Sequence, residues 1–310
     1  MGDVVHALPV LSDMQRALPG LQVDWLVEAS FAALPRLHGG VARVLPMAWR
    51  KWRKSLGDAG TWAAIGALRA ELRSQPYDLV LDLQGLLKSA LWGLQARGPL
   101  AGYGFGSIRE PLAALFYRRR AAVPRGLQAV ERNRRLAAAH LGYAMPASTP
   151  DFGIRAPAGS WAAPPRSAAL IACASRPENL WPEDRWIAVG RCLQASGLTP
   201  VLVWGSDEER QRAARIAAGC GGVVPPFLSV ADSAAVLGQA RQIVGLDTGF
   251  SHLAAALGVP TIGIYCDHSP GLAGMTGTGP VISLGGKGQV PALDQVLAAL
   301  RQQGLQRPGD

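Results

Sequence analysis

The sequence predicts an α/β protein made of two doubly wound lobes. Short apolar runs typical of buried parallel strands alternate with amphipathic stretches typical of helices. A stretch with many prolines and little periodicity, residues 144–167, interrupts this alternation near the middle of the chain. The chain has 310 residues, of which 49% are hydrophobic, so it can fill two cores of ordinary domain size.

Apolar runs and turn residues place the individual elements. The predicted strands are 23–27, 78–83, 168–173, 199–204, 242–246 and 260–265. The predicted helices are 61–75, 182–197, 206–219, 229–240 and a terminal helix, 291–304, for which either lobe is a possible packing partner. The opening stretch "MGDVVHALPVLSDMQRALPG" predicts a turn at Gly2 and Asp3 that feeds a helix ending at Pro-Gly.

The proline-rich stretch is the predicted domain boundary, with lobes at 1–155 and 156–310. Two such lobes facing each other create a central cleft between the carboxyl ends of their strands, where small anionic ligands usually bind. The net charge of +9 comes mainly from arginine, which suits contact with phosphates and carboxylates. Polyanionic partners are therefore expected.

Composition and spacing also exclude several classes of protein. No apolar run approaches the roughly 20 residues of a membrane-spanning helix, and the N-terminus has no secretory pattern. The four cysteines lie far apart with no metal spacing, which predicts reduced thiols and a cytoplasmic protein. No D-x-D pair occurs, so we expect neither a metal nor another cofactor. No nucleic-acid-binding module is recognised.

The most informative motif lies in the second lobe. In "IVGLDTGFSHLAAALGVPTIGIY" a strand ends at Asp247, a Thr-Gly turn follows, and a helix begins near Ser251 and His252. This arrangement suits a diphosphate, although plain helix capping is an equally good explanation. In "WGSDEER", Glu208 and Glu209 begin another helix, where an acid either meets ribose hydroxyls or complements the helix dipole.

The first lobe carries two basic groups. Arg50, Lys51, Arg53 and Lys54 surround Trp49 and Trp52, and "IREPLAALFYRRR" (108–120) forms the second group. A solvated face is the ordinary explanation of such charges, but interleaved tryptophans favour a lipid headgroup or phosphorylated sugar. The turn "DLQGLLKSAL" adds Asp82, Gln84 and Lys88, which either line the cleft or cap a helix. Asp3, at the cleft edge, is the candidate general base.

Taken together, these residues resemble the lipopolysaccharide heptosyltransferase I family of inverting glycosyltransferases. The resemblance runs along nearly the whole chain. Its carriers are "MGDVVHALP", "VDWLVE", "RKWRK", "DLQGLLKSA", "REPLAALFY", "AVERNR", "LWPEDRW", "WGSDEE", "LDTGFSHLAAALG" and "PGLAG". It implies a GT-B type fold with two Rossmann-like lobes, and transfer of L-glycero-D-manno-heptose from ADP-heptose to Kdo on the lipid A precursor.

The resemblance also implies roles for individual residues. Asp3 takes the place of the catalytic aspartate. The implied donor-binding residues are Ser175, Asn179, Glu209 at the ribose, Leu228 by the adenine, and Asp247, Thr248, Gly249 and His252 around the diphosphate. The implied acceptor-binding residues are Arg50, Lys51, Arg53, Lys54, Gln84, Lys88 and Arg109. The implied setting is the anionic inner face of the cytoplasmic membrane, with the protein peripheral and monomeric.

Several positions depart from the family pattern, most of them at donor contacts. Asn179 stands where the family usually has a phosphate-binding lysine, and Ala174 leaves Ser175 as one hydroxyl of a usual pair. "YCDHSPGL" differs from the Gly-x-Thr-Asp-Pro that is more usual in the family after this strand, and Gln128 stands where a His is common. We therefore expect a weakened phosphate clamp, with Arg176 or the Arg50–Lys54 group in compensation.

In the family, "MGDV" follows a central strand of the first sheet, so we expect the natural protein to extend upstream of Met1. Two other functions remain open. One is a related transferase that adds a later heptose or another sugar. The other is a non-catalytic two-lobe protein that binds carbohydrate or lipid A.

Overall fold

The computed structural model describes residues 1–305 and divides the chain into two compact units. The N-terminal unit is His6–Ser148, and the C-terminal unit combines Met1–Val5 with the chain from Thr149 onward. The division between Ser148 and Thr149 falls inside the proline-rich stretch 144–167. Asp3 is therefore grouped with the C-terminal unit.

Helices and short parallel strands alternate in the N-terminal half. The helices are α1 (Gly2–Ala17), α2 (Ala33–Arg36), α3 (Trp49–Trp52), α4 (Ala59–Leu72), α5 (Leu87–Gly93) and α6 (Ala129–Leu141). The strands are β1 (Asp24–Glu28), β2 (Arg43–Met47), β3 (Val80–Leu81), β4 (Leu100–Tyr103) and β5 (Arg119–Ala121). Short 3₁₀ helices occupy Ala29–Phe31 and Pro111–Phe116.

The strands of the N-terminal unit form two separate parallel sheets, β1-β2 and β3-β4-β5. β3 is shorter than the predicted strand 78–83. The Asp82 amide donates the last bond to β4, at Ala101 O, and the Asp82 carboxylate then accepts from Gln84 N and Gly85 N. The strand ends here because this carboxylate organises a turn.

The start of the chain differs from the prediction. Gly2 and Asp3 do not form a turn before the helix, because α1 already begins at Gly2 and Asp3 lies in its first turn. An acidic side chain in this position interacts favourably with the positive end of the helix dipole. Pro9 is accommodated inside α1, so it does not end the helix.

A buried ion pair joins α1 to α6. Arg134 donates to both carboxylate oxygens of Asp13, at 2.6 and 3.1 Å, and their side chains are only 5% and 0% exposed. Arg134 also donates to the backbone oxygens of Pro146 and Ser148. One guanidinium thus fastens two helices and the end of the N-terminal unit.

The C-terminal unit alternates strands and helices along its length. The strands are β6 (Ser167–Ile171), β7 (Thr199–Leu202), β8 (Gln242–Leu246), β9 (Thr261–Tyr265) and β10 (Val281–Gly285). The helices are α7 (Glu183–Ala195), α8 (Asp207–Cys220), α9 (Val230–Gln239), α10 (Gly249–Ala256), α11 (Pro270–Ala273) and α12 (Leu293–Gln302). A 3₁₀ helix spans Pro177–Asn179.

These strands form one parallel sheet in the order β10-β9-β8-β6-β7. β6 comes first along the chain but pairs with both β7 and β8, so the connections after β6 and β8 leave in opposite directions. Such a switch point opens a crevice at the carboxyl ends of the strands. The terminal helix α12 packs into this core through Val296, Ala299 and Leu300.

Candidate active site

The N-terminus of α10 lies at the switch point, directly after β8. Thr248 is the N-cap residue, but its side chain accepts no capping hydrogen bond. Its Oγ1 is buried and has no hydrogen-bond partner among the described residues. The Ser251 hydroxyl instead donates back to Leu246 O at 2.7 Å. Capping therefore does not explain these hydroxyls, and the first turn of α10 suits an anion.

Asp247 and His252 form a pair beside this helix end. His252 Nε2 lies 3.0 Å from Asp247 Oδ1, a distance at which the ring N–H donates to the carboxylate. The His252 side chain is 6% exposed, whereas that of Asp247 is 21% exposed. The imidazole thus braces the carboxylate, and Asp247 is the member of the pair that a ligand reaches more easily.

The first residues of the chain adjoin the same helix end. A Cβ on Gly249 would collide with the side chain of Met1, and a Cβ on Gly2 would lie 4.0 Å from His252 Cδ2. Gly249 is therefore a close-approach glycine. Asp3, exposed and two residues from Met1, belongs to the same unit as the proposed donor residues.

Glu209 has a structural role at the end of β7. Its Oε2 accepts from Gly205 N at 2.7 Å, while Ser206 Oγ accepts from Glu209 N at 3.3 Å. These reciprocal bonds make a capping arrangement at the start of α8. The helix-start explanation therefore has direct support, and the ribose contact stays a prediction.

Beside Glu209 lies an aromatic surface that the sequence analysis missed. Trp204 and Phe227 meet edge to face with ring centroids 5.7 Å apart, and Phe227 is 65% exposed. The Arg210 guanidinium lies 5.6 Å from the Trp204 ring centroid. Leu228 is only 6% exposed, so Phe227 offers more apolar surface to a ligand than Leu228 does. In the sequence, a phenylalanine directly after two prolines was the signal that could have indicated this surface.

Ser175 and Asn179 follow β6, the other strand of the switch point. Ser175 is exposed and Asn179 is half-buried at the end of the 3₁₀ helix Pro177–Asn179. The backbone N–H of Asn179 donates to Arg176 O at 3.1 Å. The topology thus places these two residues after the strand adjacent to β8, on the same sheet edge as Asp247.

Asp82 organises the predicted acceptor turn from within. Besides the amides of the turn, the Ser89 hydroxyl and the Tyr117 hydroxyl each donate to its Oδ2 at 2.7 Å. Burial and the Asp82 charge raise the pKa of Tyr117 well above its usual range. Asp82 is thus a structural centre that fixes Gln84 and α5, which carries Lys88. Glu110 N donates to Gly85 O, so the segment containing Arg109 is attached to the same turn.

In the group from Arg50 to Lys54, the basic side chains and the tryptophans lie in different environments. All four basic side chains are exposed. Trp49 and Trp52, however, pack against Trp92 of α5, with ring centroids 6.4 and 5.7 Å from it. The tryptophans therefore give no support to a lipid headgroup or phosphorylated sugar at this group, because Trp52 is buried and Trp49 is half-buried against the apolar core that they share with Trp92.

Comparison with known proteins identifies the family. The family model for glycosyltransferase family 9 (heptosyltransferase) matches residues 65–295. The chain belongs to this family. It is 43% identical over 287 residues to lipopolysaccharide heptosyltransferase 1 of Pseudomonas aeruginosa, covering 91% of this chain and 80% of the relative.

Solved structures agree with this assignment. E. coli heptosyltransferase WaaC with ADP superposes with a TM-score of 0.90 at 37% identity, covering 98% of this chain and 97% of WaaC. WaaC with ADP-2-deoxy-2-fluoro heptose gives a TM-score of 0.82, also at 37% identity, covering 97% of this chain and 95% of that one. The α/β fold of GT-B type predicted from the sequence is confirmed, and the chain is a glycosyltransferase of family 9.

Proposed function

We propose that this chain transfers L-glycero-D-manno-heptose from ADP-heptose to Kdo of the lipid A–Kdo inner core. The 43% identity to a lipopolysaccharide heptosyltransferase 1 supports transfer of heptose in lipopolysaccharide core biosynthesis. The observation that carries the donor assignment is the uncapped N-terminus of α10 with the buried, unpartnered hydroxyl of Thr248. These groups suit a diphosphate.

The donor would bind along the carboxyl edge of the C-terminal sheet. Thr248 and the Gly249 amide would contact the diphosphate, with Asp247 held in place by His252. Glu209, after β7, would accept a hydrogen bond from the ribose. The adenine would lie by Leu228 and against Phe227, whose exposed ring offers a stacking surface. Ser175 and Asn179 would complete the phosphate contacts.

Transfer would proceed by direct displacement. Asp3 takes the proton from the acceptor hydroxyl while that oxygen bonds to the anomeric carbon of heptose. The bond between that carbon and the β-phosphate oxygen breaks, and ADP leaves with the electron pair. Negative charge grows on the departing phosphate, where the N-terminus of α10 stabilises it without rearrangement. None of these steps requires a metal ion, and residues 1–305 contain no cluster of three metal-ligating side chains.

The acceptor would bind to the N-terminal unit. Its carboxylates and phosphates suit the exposed cations of the Arg50 to Lys54 group, together with Lys88 and Arg109. The backbone amide of Gln84 donates to Asp82, and the Gln84 side chain would add a neutral hydrogen bond to the acceptor. We further propose a cytoplasmic monomer that attaches peripherally to the inner membrane. Within residues 1–305, no helix is both long and apolar enough to cross a bilayer.

Asn179→Lys should tighten donor binding. A lysine here would add a charge-assisted bond to the donor phosphate, and we expect the Kd for ADP-heptose to fall about tenfold. Titration calorimetry measures this. Gln302→Lys, which adds the same charge at an exposed position of α12, should leave the Kd within about twofold. An unchanged Kd for Asn179→Lys would remove Asn179 from the phosphate site.

The choice of acceptor separates this function from its nearest alternatives. Purified protein is incubated with ADP-heptose and either Kdo-lipid A or an acceptor that already carries the first heptose. We expect turnover on Kdo-lipid A alone. Preference for the heptosylated acceptor would indicate a transferase for a later heptose, whereas binding without turnover on either would indicate a non-catalytic carbohydrate-binding protein.

A further inference from the structure

A short segment of the N-terminal unit presents large apolar side chains to solvent. In the 3₁₀ helix Pro111–Phe116, Leu112 is 63% exposed, Leu115 is 60% exposed and Phe116 is 37% exposed. Ala113 and Ala114 between them are fully buried and fasten the helix to the core. Folding thus leaves the large residues outside and buries the small ones, the reverse of ordinary core packing.

The neighbouring helix extends this apolar surface. α5 packs on the 3₁₀ helix, and its buried Ala90 lies in the same core cluster as Ala113 and Ala114. Leu91 is 45% exposed and Leu94, at the end of α5, is 43% exposed. Both packed elements therefore carry leucines that face solvent.

Arginines lie next to these leucines. The three arginines Arg118, Arg119 and Arg120 begin two residues after the 3₁₀ helix and are all exposed. Arg120 Nε donates to Ala114 O at 2.6 Å, and its guanidinium lies 5.2 Å from the centroid of Phe105, itself 49% exposed. Glu110, the acid that precedes the 3₁₀ helix, accepts from Leu87 N at 2.7 Å. Positive charge therefore prevails beside the apolar side chains.

We propose that this leucine–arginine face, composed of Leu91, Leu94, Phe105, Leu112, Leu115, Phe116 and Arg118–Arg120, docks on an anionic lipid bilayer. Leucine and phenylalanine insert at the headgroup level while arginine contacts lipid phosphates, the combination that interfacial segments use. A second copy of the chain fits less well, because a two-fold interface would bring two sets of arginines together. The inference rests on the proposed function, whose acceptor is a membrane lipid.

The face also adjoins the proposed acceptor residues. Lys88 lies on α5, and Arg109 precedes the 3₁₀ helix. Docking would therefore bring these cations to the headgroup layer, where the sugar and phosphates of a lipid acceptor lie. The Arg50 to Lys54 group has exposed Leu56 and Trp62 near it, but its own tryptophans pack with Trp92.

Sedimentation with vesicles tests the docking face. The full chain is mixed with phosphatidylcholine vesicles containing about a quarter phosphatidylglycerol, at about 0.1 M salt. We expect Leu112→Ser with Leu115→Ser to weaken binding at least tenfold, because each leucine loses its transfer into lipid. Arg118→Ser with Arg119→Ser should weaken it about tenfold and abolish the preference over pure phosphatidylcholine vesicles.

Matched controls carry the same numbers and types of substitution elsewhere. Leu56→Ser with Val290→Ser removes two exposed apolar side chains outside the face. Arg69→Ser with Arg73→Ser removes two exposed arginines at the C-terminal end of α4. Both should bind vesicles like the parent. Every altered side chain is exposed, and circular dichroism checks that each variant is folded.

A transfer assay with a soluble Kdo acceptor that has no acyl chains tests the proposed function independently of the docking face. The leucine variant should keep that activity while losing vesicle binding. Parent-like vesicle binding by the leucine variant, or a parent dimer that this variant dissociates, overturns the docking face even if transfer is intact. Vesicle binding that depends on the face, in a protein without transferase activity, would overturn only the proposed function.

Discussion

Asp3→Ala should abolish most heptose transfer while leaving donor binding intact. A general base that removes the acceptor proton contributes about 10² to 10⁴ in rate, and kcat should fall by that factor. The Kd for ADP should stay within about twofold, since the proposed diphosphate contacts come from α10. Steady-state kinetics and calorimetry on the same preparation measure both quantities.

Asp294→Ala is the matched control for this substitution. Asp294 is also an exposed acid in the first turn of a helix, α12, so its loss reproduces the change in helix-dipole interaction without touching the site. It should leave kcat unchanged. If Asp3→Ala kept its kcat as well, Asp3 would not be the base and the displacement mechanism would need another carboxylate.

Breaking the buried Asp13–Arg134 pair should produce the largest loss of stability. Asp13→Ala leaves a guanidinium that is 5% exposed without its counter-charge, and removing one partner of such a pair costs about 3–5 kcal/mol. We expect the free energy of unfolding, measured by urea denaturation followed by circular dichroism, to fall by that amount. Replacing both residues together, Asp13→Leu with Arg134→Met, should recover part of the loss.

A surface pair on the same helix supplies the comparison. Glu131 and Arg135 of α6 lie four residues apart with side chains 36% and 46% exposed, so Glu131→Ala should cost less than about 1 kcal/mol. Similar losses for Asp13→Ala and Glu131→Ala would mean that the buried pair does not fasten α1 to α6.

Four of the five strands described in the C-terminal unit were predicted, most of them because they are buried on both faces. All residues of β6, β8 and β9 are buried, so their apolar runs stand out in the sequence. β2, β5 and β10 were missed because each includes exposed positions, which hide the strand pattern. β4 was missed although all four of its residues are buried, because its run is too short to stand out. In the N-terminal unit, local composition therefore predicts strands less well.

In the candidate site, too, features set by local sequence were predicted and features set by distant residues were not. The motif from Asp247 to His252 is contiguous, so its position after a strand and before a helix was predictable from local sequence. The contact between Trp204 and Phe227 joins two loops far apart in the chain and arises only when β7 is folded. The role of Trp49 and Trp52 was likewise set by a distant residue, Trp92.

The most direct test of this account is the structure of the reaction product. ADP-heptose and Kdo-lipid A are incubated with the protein, and the product is analysed by mass spectrometry and NMR. We predict the addition of a single heptose, joined to Kdo, with an anomeric configuration opposite to that in the donor. An unmodified acceptor would contradict heptose transfer, and a retained configuration would contradict direct displacement assisted by Asp3.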